Sequence, residues 1–138
     1  MTKRTYVDTC VLMAALKGKD AVVAARALEV LDDPDRSLVI SEAVRLEALP
    51  KARFNKQVEE SAFYEAVFEK AENLGWDSTA LHNALDLAIA NGIAAMDAIH
   101  VSHAIEAHVD EFVSAEGPTK PMFRVNTIPM RSLRAPDR

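Results

Sequence analysis

Cysteine is almost absent from this sequence of 138 residues. Cys10 stands alone, so no disulfide can form within the chain and a reducing compartment is the simpler setting. Its own expected role is that of a small buried apolar residue. Glycine (4) and proline (6) are scarce, which argues against a fold built from many short strands and tight turns. Basic residues are outnumbered: 16 Lys plus Arg face 21 Asp plus Glu, for a net charge of −5 and a pI near 5.3. That balance excludes a grip on nucleic acid by bulk positive charge, so such a role needs a local basic patch or metal ions. Long apolar runs are missing as well. The longest uncharged stretch, 87–96, falls far short of the ~20 residues that cross a bilayer. The start Met1-Thr-Lys-Arg precedes an apolar segment at 10–16, yet Asp8 stands before that segment and Lys17-Gly-Lys-Asp after it. No small-residue cleavage site is evident. We read the chain as cytoplasmic, without a membrane segment.

What the sequence does contain is alanine, 23 residues of it, within a composition that is 49% hydrophobic and 27% charged. This is the balance of a folded globular chain in which helices dominate. The length suits a single domain over 1–138, with a tail from about residue 130 that is expected to fray. Thr5-Tyr6-Val7 reads as a short strand, followed by a helix over 9–16 that stops at Gly18. A second helix spans 21–31, closed by Asp32-Asp33-Pro34-Asp35, and Ser37-Leu-Val-Ile40 is a second strand. Ser41 caps a third helix that breaks or kinks at Pro50. A longer helix over 57–74 places Phe63, Val67, Ala71 and Leu74 on one face. Asp77 or Ser78 caps the next, which ends at Asn91-Gly92, and a further helix covers 95–109. Residues 111–114 and 123–126 read as two more strands. Short strands alternating with helices predict an α/β/α sandwich with a short, mainly parallel sheet covered by helices.

On that framework most acids sit where a surface helix keeps them. Glu65, Glu69 and Glu72 lie opposite the Phe63/Val67/Ala71 stripe, and Asp86 lies opposite Leu81, Leu85 and Ala88. Two acids break the rule when residues are placed at ~100° each. Glu47 falls within the apolar sector shared by Ala43, Val44 and Leu46, and Asp97 falls with Val101 and Ala104, while Glu106 on the same helix faces water. Asp8 adds a third acid at the exit of the first strand, where parallel sheets bind ligands. Glu116 adds a fourth just beyond the strand at 111–114. Each acid alone also fits a bland role: an Asx turn for Asp8, a helix N-terminus for Asp97. Jointly, four carboxylates gathered at one edge repel one another and demand a cation. Oxygen-only donors favour Mg²⁺ or Mn²⁺ over zinc, and such ions assist in-line attack on phosphodiesters. His100 and His103 share the Asp97 helix but fall at and beyond the edge of its apolar face; we expect packed or hydrogen-bonded histidines and assign neither as ligand or base.

The segments Tyr6-Val-Asp-Thr-Cys10, Ser41-Glu-Ala-Val-Arg-Leu-Glu47, Met96-Asp-Ala-Ile-His100 and Phe112-Val-Ser-Ala-Glu116 resemble, in order and spacing, the acidic motifs of PIN domains. Within that family the chain is most similar to VapC-type toxin ribonucleases of toxin–antitoxin pairs, over 5–127. The resemblance implies a PIN-like fold and a Mg²⁺- or Mn²⁺-dependent endoribonuclease. It implies Asp8 and Asp97 as principal metal ligands, Glu47 as a direct or water-mediated ligand, and Glu116 as the residue completing the catalytic set. Thr9 and Ser114 would supply hydroxyls near the metal or scissile phosphate, and equally suit cap or turn roles. Glu116 departs from the more usual Asp and is followed at once by Gly117-Pro118. Partners implied are RNA, a cognate antitoxin that covers the pocket, and a second copy of the chain. Arg45, Lys51, Arg53 and Lys56, with the arginines at 131, 134 and 138, are candidate RNA contacts or simply a solvated basic face. The alternative function is a non-catalytic PIN-like module that binds metal or RNA, and the bland one is a helical scaffold whose acids never meet.

Overall fold

The computed structural model describes residues 2–135. Five strands form one sheet: β1 (Lys3–Val7), β2 (Arg36–Ser41), β3 (Glu72–Leu74), β4 (Glu111–Ser114) and β5 (Met130–Ser132), in the order β3-β2-β1-β4-β5. All neighbours are parallel, with Tyr6 opposite Val39 on one side and Phe112 on the other. Six helices flank it: α1 (Thr9–Lys17), α2 (Ala21–Asp32), α3 (Glu42–Phe54), α4 (Val58–Lys70), α5 (Ser78–Asn91) and α6 (Ala95–Glu106). The α/β/α architecture expected from the sequence is therefore present. Strand β4 and the Thr5–Val7 half of β1 are buried on both faces, as strands sandwiched between helices must be. Tyr6 stacks on Phe112 at 5.3 Å between ring centroids, 9° from parallel, and both are fully buried. No single helix among the described residues is long and apolar enough to cross a membrane.

Several elements differ from their sequence reading. Helix α3 runs through Pro50 to Phe54 instead of breaking there. The carbonyl that Pro50 leaves unserved belongs to Leu46, which is 60% exposed, so water can satisfy it. Leu46 is thus outside the buried sector, which consists of Ala43, Val44, Ala48, Leu49 and Ala52. Helix α4 stops at Lys70 because the Asn73 amide donates to the carbonyls of Phe68 and Ala71, both at 2.9 Å. The chain then turns into β3, where Glu72 meets Arg4 through two oxygens at 2.8 and 2.9 Å. The buried face of α4 is Tyr64, Val67 and Phe68. On α5 the small residues Ala80 and Ala84 face inward while Leu81 and Leu85 lie outside, because close packing against α6 admits only short side chains. Asp86 is exposed as expected. Helix α6 ends at Glu106, and Val109 follows a turn at His108, whose φ is 54°.

The C-terminal third holds the largest corrections. Residues 123–126 are not a strand: Pro121, with its fixed φ and missing N–H, starts a 3-10 turn over Pro121–Arg124 that buries Met122 completely. The place beside β4 is taken by β5, so the tail from 130 does not fray over its described part. Leu133 is 1% exposed, its N–H donates to Ser114 O at 2.9 Å, and Arg26 donates to the carbonyls of Leu133 and Ala135. Residues 136–138 lie outside the described residues. Leu133→Ala should lower unfolding stability by about 2–4 kcal/mol in denaturant titration, whereas a change within experimental error would show that the tail is not docked.

Candidate functional site

Strand β1 ends at Val7, and Asp8, the N-cap residue of α1, follows at the carboxyl end of the central strand. Its N–H donates to Val113 O at 3.3 Å, tying it to β4. A capping aspartate aims its carboxylate at the N–H groups of the next turn, yet Asp8 makes no such bond. Instead its Oδ1 accepts the Cys10 thiol at 2.8 Å. The bland reading of Asp8 as an Asx turn is thereby removed. With the residue 4% exposed, burial pushes its carboxyl up to about 6, against the opposing pull of hydrogen bonds from Cys10 and Ser114.

Three further acids face the same space. A cavity of about 300 Å³ is lined by Asp8, Glu47, Asp97 and Glu116, with Thr9, Cys10, Met13 and His100 completing the wall. Helix α3 brings Glu47, whose Oε1 accepts from Thr9 Oγ1 and His100 Nε2, both at 2.6 Å. The His100 hydrogen bond holds the Glu47 carboxyl below its ordinary range. Asp97 lies in the first turn of α6, which Ala94 begins without a side-chain cap. Burial raises its carboxyl, Lys120 at 3.8 Å draws it back, and Glu116 pushes it up again. Glu116 is half-buried after the exit of β4, where its N–H donates to Ser114 Oγ at 3.1 Å. Thr9 is thus engaged with a carboxylate, and Ser114 lies fully buried between Glu116 and Cys10, 3.3 Å from the thiol.

The structure brings the four acids to one cavity. It does not bring Arg45, Lys51, Arg53 and Lys56 there: none lines it. Arg45 lies over the Phe68 ring at 5.1 Å, and Arg53 pairs with Glu65 at 2.6 Å. Both border a separate groove of about 410 Å³ with Pro50 and Trp76. Lys51 and Lys56 are exposed. Arg134 lies nearer, donating from Nε to Ala115 O at 2.7 Å, and Arg138 is outside the described residues. A larger cleft, about 540 Å³ beside Trp76 and the far end of α6, holds His103. Both its nitrogens are engaged: Nδ1–H donates to Ile99 O, and Nε2 accepts from Asp77 N–H. Both histidines of α6 are buried and hydrogen-bonded.

Cys10, His100 and Lys120 are the site residues that sequence reasoning passed over. His100 carried a faint signal, being three residues after Asp97 and so on the same side of the helix, and Cys10 stands two after Asp8. Lys120 carried none, because it sits in an irregular segment.

A family model for the PIN domain matches residues 5–116. This chain belongs to the PIN domain family. Among solved structures, VapBC2 from Rickettsia felis bound to a DNA fragment from their promoter is similar, at 16% identity and a TM-score of 0.71, covering 94% of this chain and 98% of that one. VapBC-1 from nontypeable Haemophilus influenzae is similar at 19% identity and 0.66, covering 96% and 99%. A protein from Pyrobaculum aerophilum shares 18% identity at 0.61, covering 94% and 92%. At such identities these likenesses speak to fold. Among curated proteins none matches significantly.

The oxygen-rich donor set of this PIN domain fits a hard divalent cation. Among the described residues, however, no three acid, histidine or cysteine side chains already surround one point at ligating distance. The raised carboxyl of Asp8 has a measurable consequence. Between its ordinary value of 3.8 and its folded value of about 6, the folded state binds more protons than the unfolded one. Stability from this group is therefore highest below pH 4, falls as pH rises to 6 and is level above. Metal-free Asp8→Asn should be more stable than wild type at pH 7, by up to about 3 kcal/mol, with the gain vanishing at pH 4. Thermal melts at the two pH values check this, and a pH-independent difference would contradict it.

Proposed function

We propose that the chain is a VapC-type toxin endoribonuclease, a hydrolase of RNA phosphodiesters that uses Mg²⁺ or Mn²⁺. The observation that carries this reading is Asp8: a buried carboxylate at the exit of the central parallel strand that caps nothing and meets three more acids. Asp8 and Asp97 would be the principal ligands, with Glu47 and Glu116 binding directly or through water. When bound, the cation would supply water activation and neutralisation of charge developing on the phosphate. The chain's own residues prepare that chemistry. Cys10 and Ser114 orient Asp8, Thr9 and His100 orient Glu47, and Lys120 tempers the charge at Asp97. Met13 supplies an apolar wall beside the acids.

Partners follow from the same reading: an RNA strand, an antitoxin that covers the cavity, and a second copy of the chain, all in the cytoplasm. The VapBC complexes from Rickettsia felis and Haemophilus influenzae support an antitoxin partner. Exposed apolar residues offer area for protein contacts: Leu81, Leu85 and Ile89 along α5, and Phe54 and Val58 between α3 and α4. A second reading, a metal- or RNA-binding module without turnover, is favoured by Glu116, which is followed at once by Gly117-Pro118, and by the net charge of −5.

With Mn²⁺ present, purified wild-type protein should cleave single-stranded RNA, and Asp8→Asn should reduce cleavage by at least about 10²-fold. Chelation should stop the wild type. Equal cleavage by both proteins would contradict the assignment, and Mn²⁺ binding without cleavage of any RNA would favour the module.

A further inference from the structure

Behind Glu47 lies a buried polar chain that the proposed reaction does not itself require. His100 Nε2 is 2.6 Å from Glu47 Oε1, and His100 Nδ1 is 2.8 Å from the Tyr6 hydroxyl. The Tyr6 hydroxyl is 2.8 Å from Ser41 Oγ, which accepts the Ala43 N–H at 3.2 Å. His100, Tyr6 and Ser41 are 3%, 0% and 1% exposed, so water does not compete for the bonds among these three.

The contacts fix which ring nitrogen of His100 must carry a proton. If Nδ1 carried the proton, the bare Nε2 would confront a carboxylate oxygen, lone pair against lone pair. With the proton on Nε2, every link is satisfied: Ser41 O–H donates to Tyr6, Tyr6 O–H donates to Nδ1, and Nε2–H donates to Glu47. The Tyr6 ring is itself fixed by its stack on Phe112 and by an edge contact with His100 at 5.9 Å. Oε1 of Glu47 is therefore doubly engaged, by His100 and by Thr9. Oε2 has no protein partner among the described residues. Glu47 otherwise belongs to a long side chain that is 34% exposed on an outer helix, with rotamer freedom to lose on binding anything.

We propose that His100, braced by Tyr6 and Ser41, is a positioning residue that locks Oε1 of Glu47 and so presents Oε2 to a divalent cation in the acidic cavity. This rests on the metal-centre reading above and adds to it a device in the core of the fold. Carboxylates that ligate metals are oriented in this manner by hydrogen bonds from residues that never touch the ion, and losing such a bond typically costs 10–100-fold in metal affinity.

The test is Mn²⁺ calorimetry on the full chain, with thermal melts in parallel and no RNA present. His100→Asn is too short to reach Glu47 and should weaken Mn²⁺ binding by about 10-fold or more. His100→Gln, which restores an amide N–H near the Nε2 position, should recover most of it. Tyr6→Phe removes one hydroxyl, keeps the ring stack, and should weaken binding less than His100→Asn. In a Glu47→Gln background the His100→Asn change should have no further effect, because the bond it breaks no longer orients a ligand. A merely structural role for His100 would lower the melting temperature without this rescue and without this non-additivity. If His100→Asn does not fold, Tyr6→Phe and His100→Gln decide the matter. A wild type that binds Mn²⁺, with folded variants that bind it equally well, overturns this inference alone. A wild type that binds no Mn²⁺ overturns the metal centre and this inference with it.

Discussion

Burying a carboxylate without a partnering cation is among the less favourable things a fold can do, and the arrangement of this protein turns on one such group. The Asp8 carboxylate is nearly enclosed, receives hydrogen bonds rather than an ion pair, and faces other acids across a small cavity. Lys120, at 3.8 Å from Asp97, is the one lysine or arginine within ion-pair distance of the four acids among the described residues, beside His100 at 2.6 Å from Glu47. That imbalance makes sense of the rest. A site that holds negative charge at a cost to stability is suited to a positive partner, and the proposed divalent ion would answer that need with an all-oxygen donor set.

The fold supplies the cavity by a general property of parallel sheets. Every strand runs the same way, so β1 and β4, adjacent in the sheet, deliver Asp8 and Glu116 to the same edge. Two helices then bring acids to that edge, α3 with a part-exposed Glu47 and α6 with a half-buried Asp97. Hydrogen bonds join the pieces across large separations in sequence: Thr9 to Glu47, His100 to Tyr6, Cys10 to Ser114. The site is consequently a property of the whole sheet edge, with the buried Tyr6–Phe112 stack beneath it.

Much of this was legible in the linear chain, for physical reasons that also explain what was not. Glu47 and Asp97 stand out because helical periodicity turns them towards the protein, and Asp8 and Glu116 because strand exits point at one edge. Periodicity has nothing to say about a three-residue strand such as β3 or β5, whose existence depends on an open edge and on Arg4 or Arg26 reaching across to hold it. It also assumes that large apolar residues face inward, which fails on α5, where tight packing against α6 selects Ala80 and Ala84 and leaves Leu81 and Leu85 outside. Lys120 was invisible because nothing periodic governs the segment between β4 and the turn at Pro121. His100 illustrates a different limit: its place on the helix was readable, but the bond it makes with Glu47 on another helix was not.

The most direct measurement is an anomalous difference map from crystals of the protein soaked in a manganese salt. A peak within bonding distance of carboxylate oxygens of both Asp8 and Asp97 is the expected result. Fully soaked crystals with no anomalous density beside those oxygens would contradict the claim that the acidic cavity exists to hold a divalent ion.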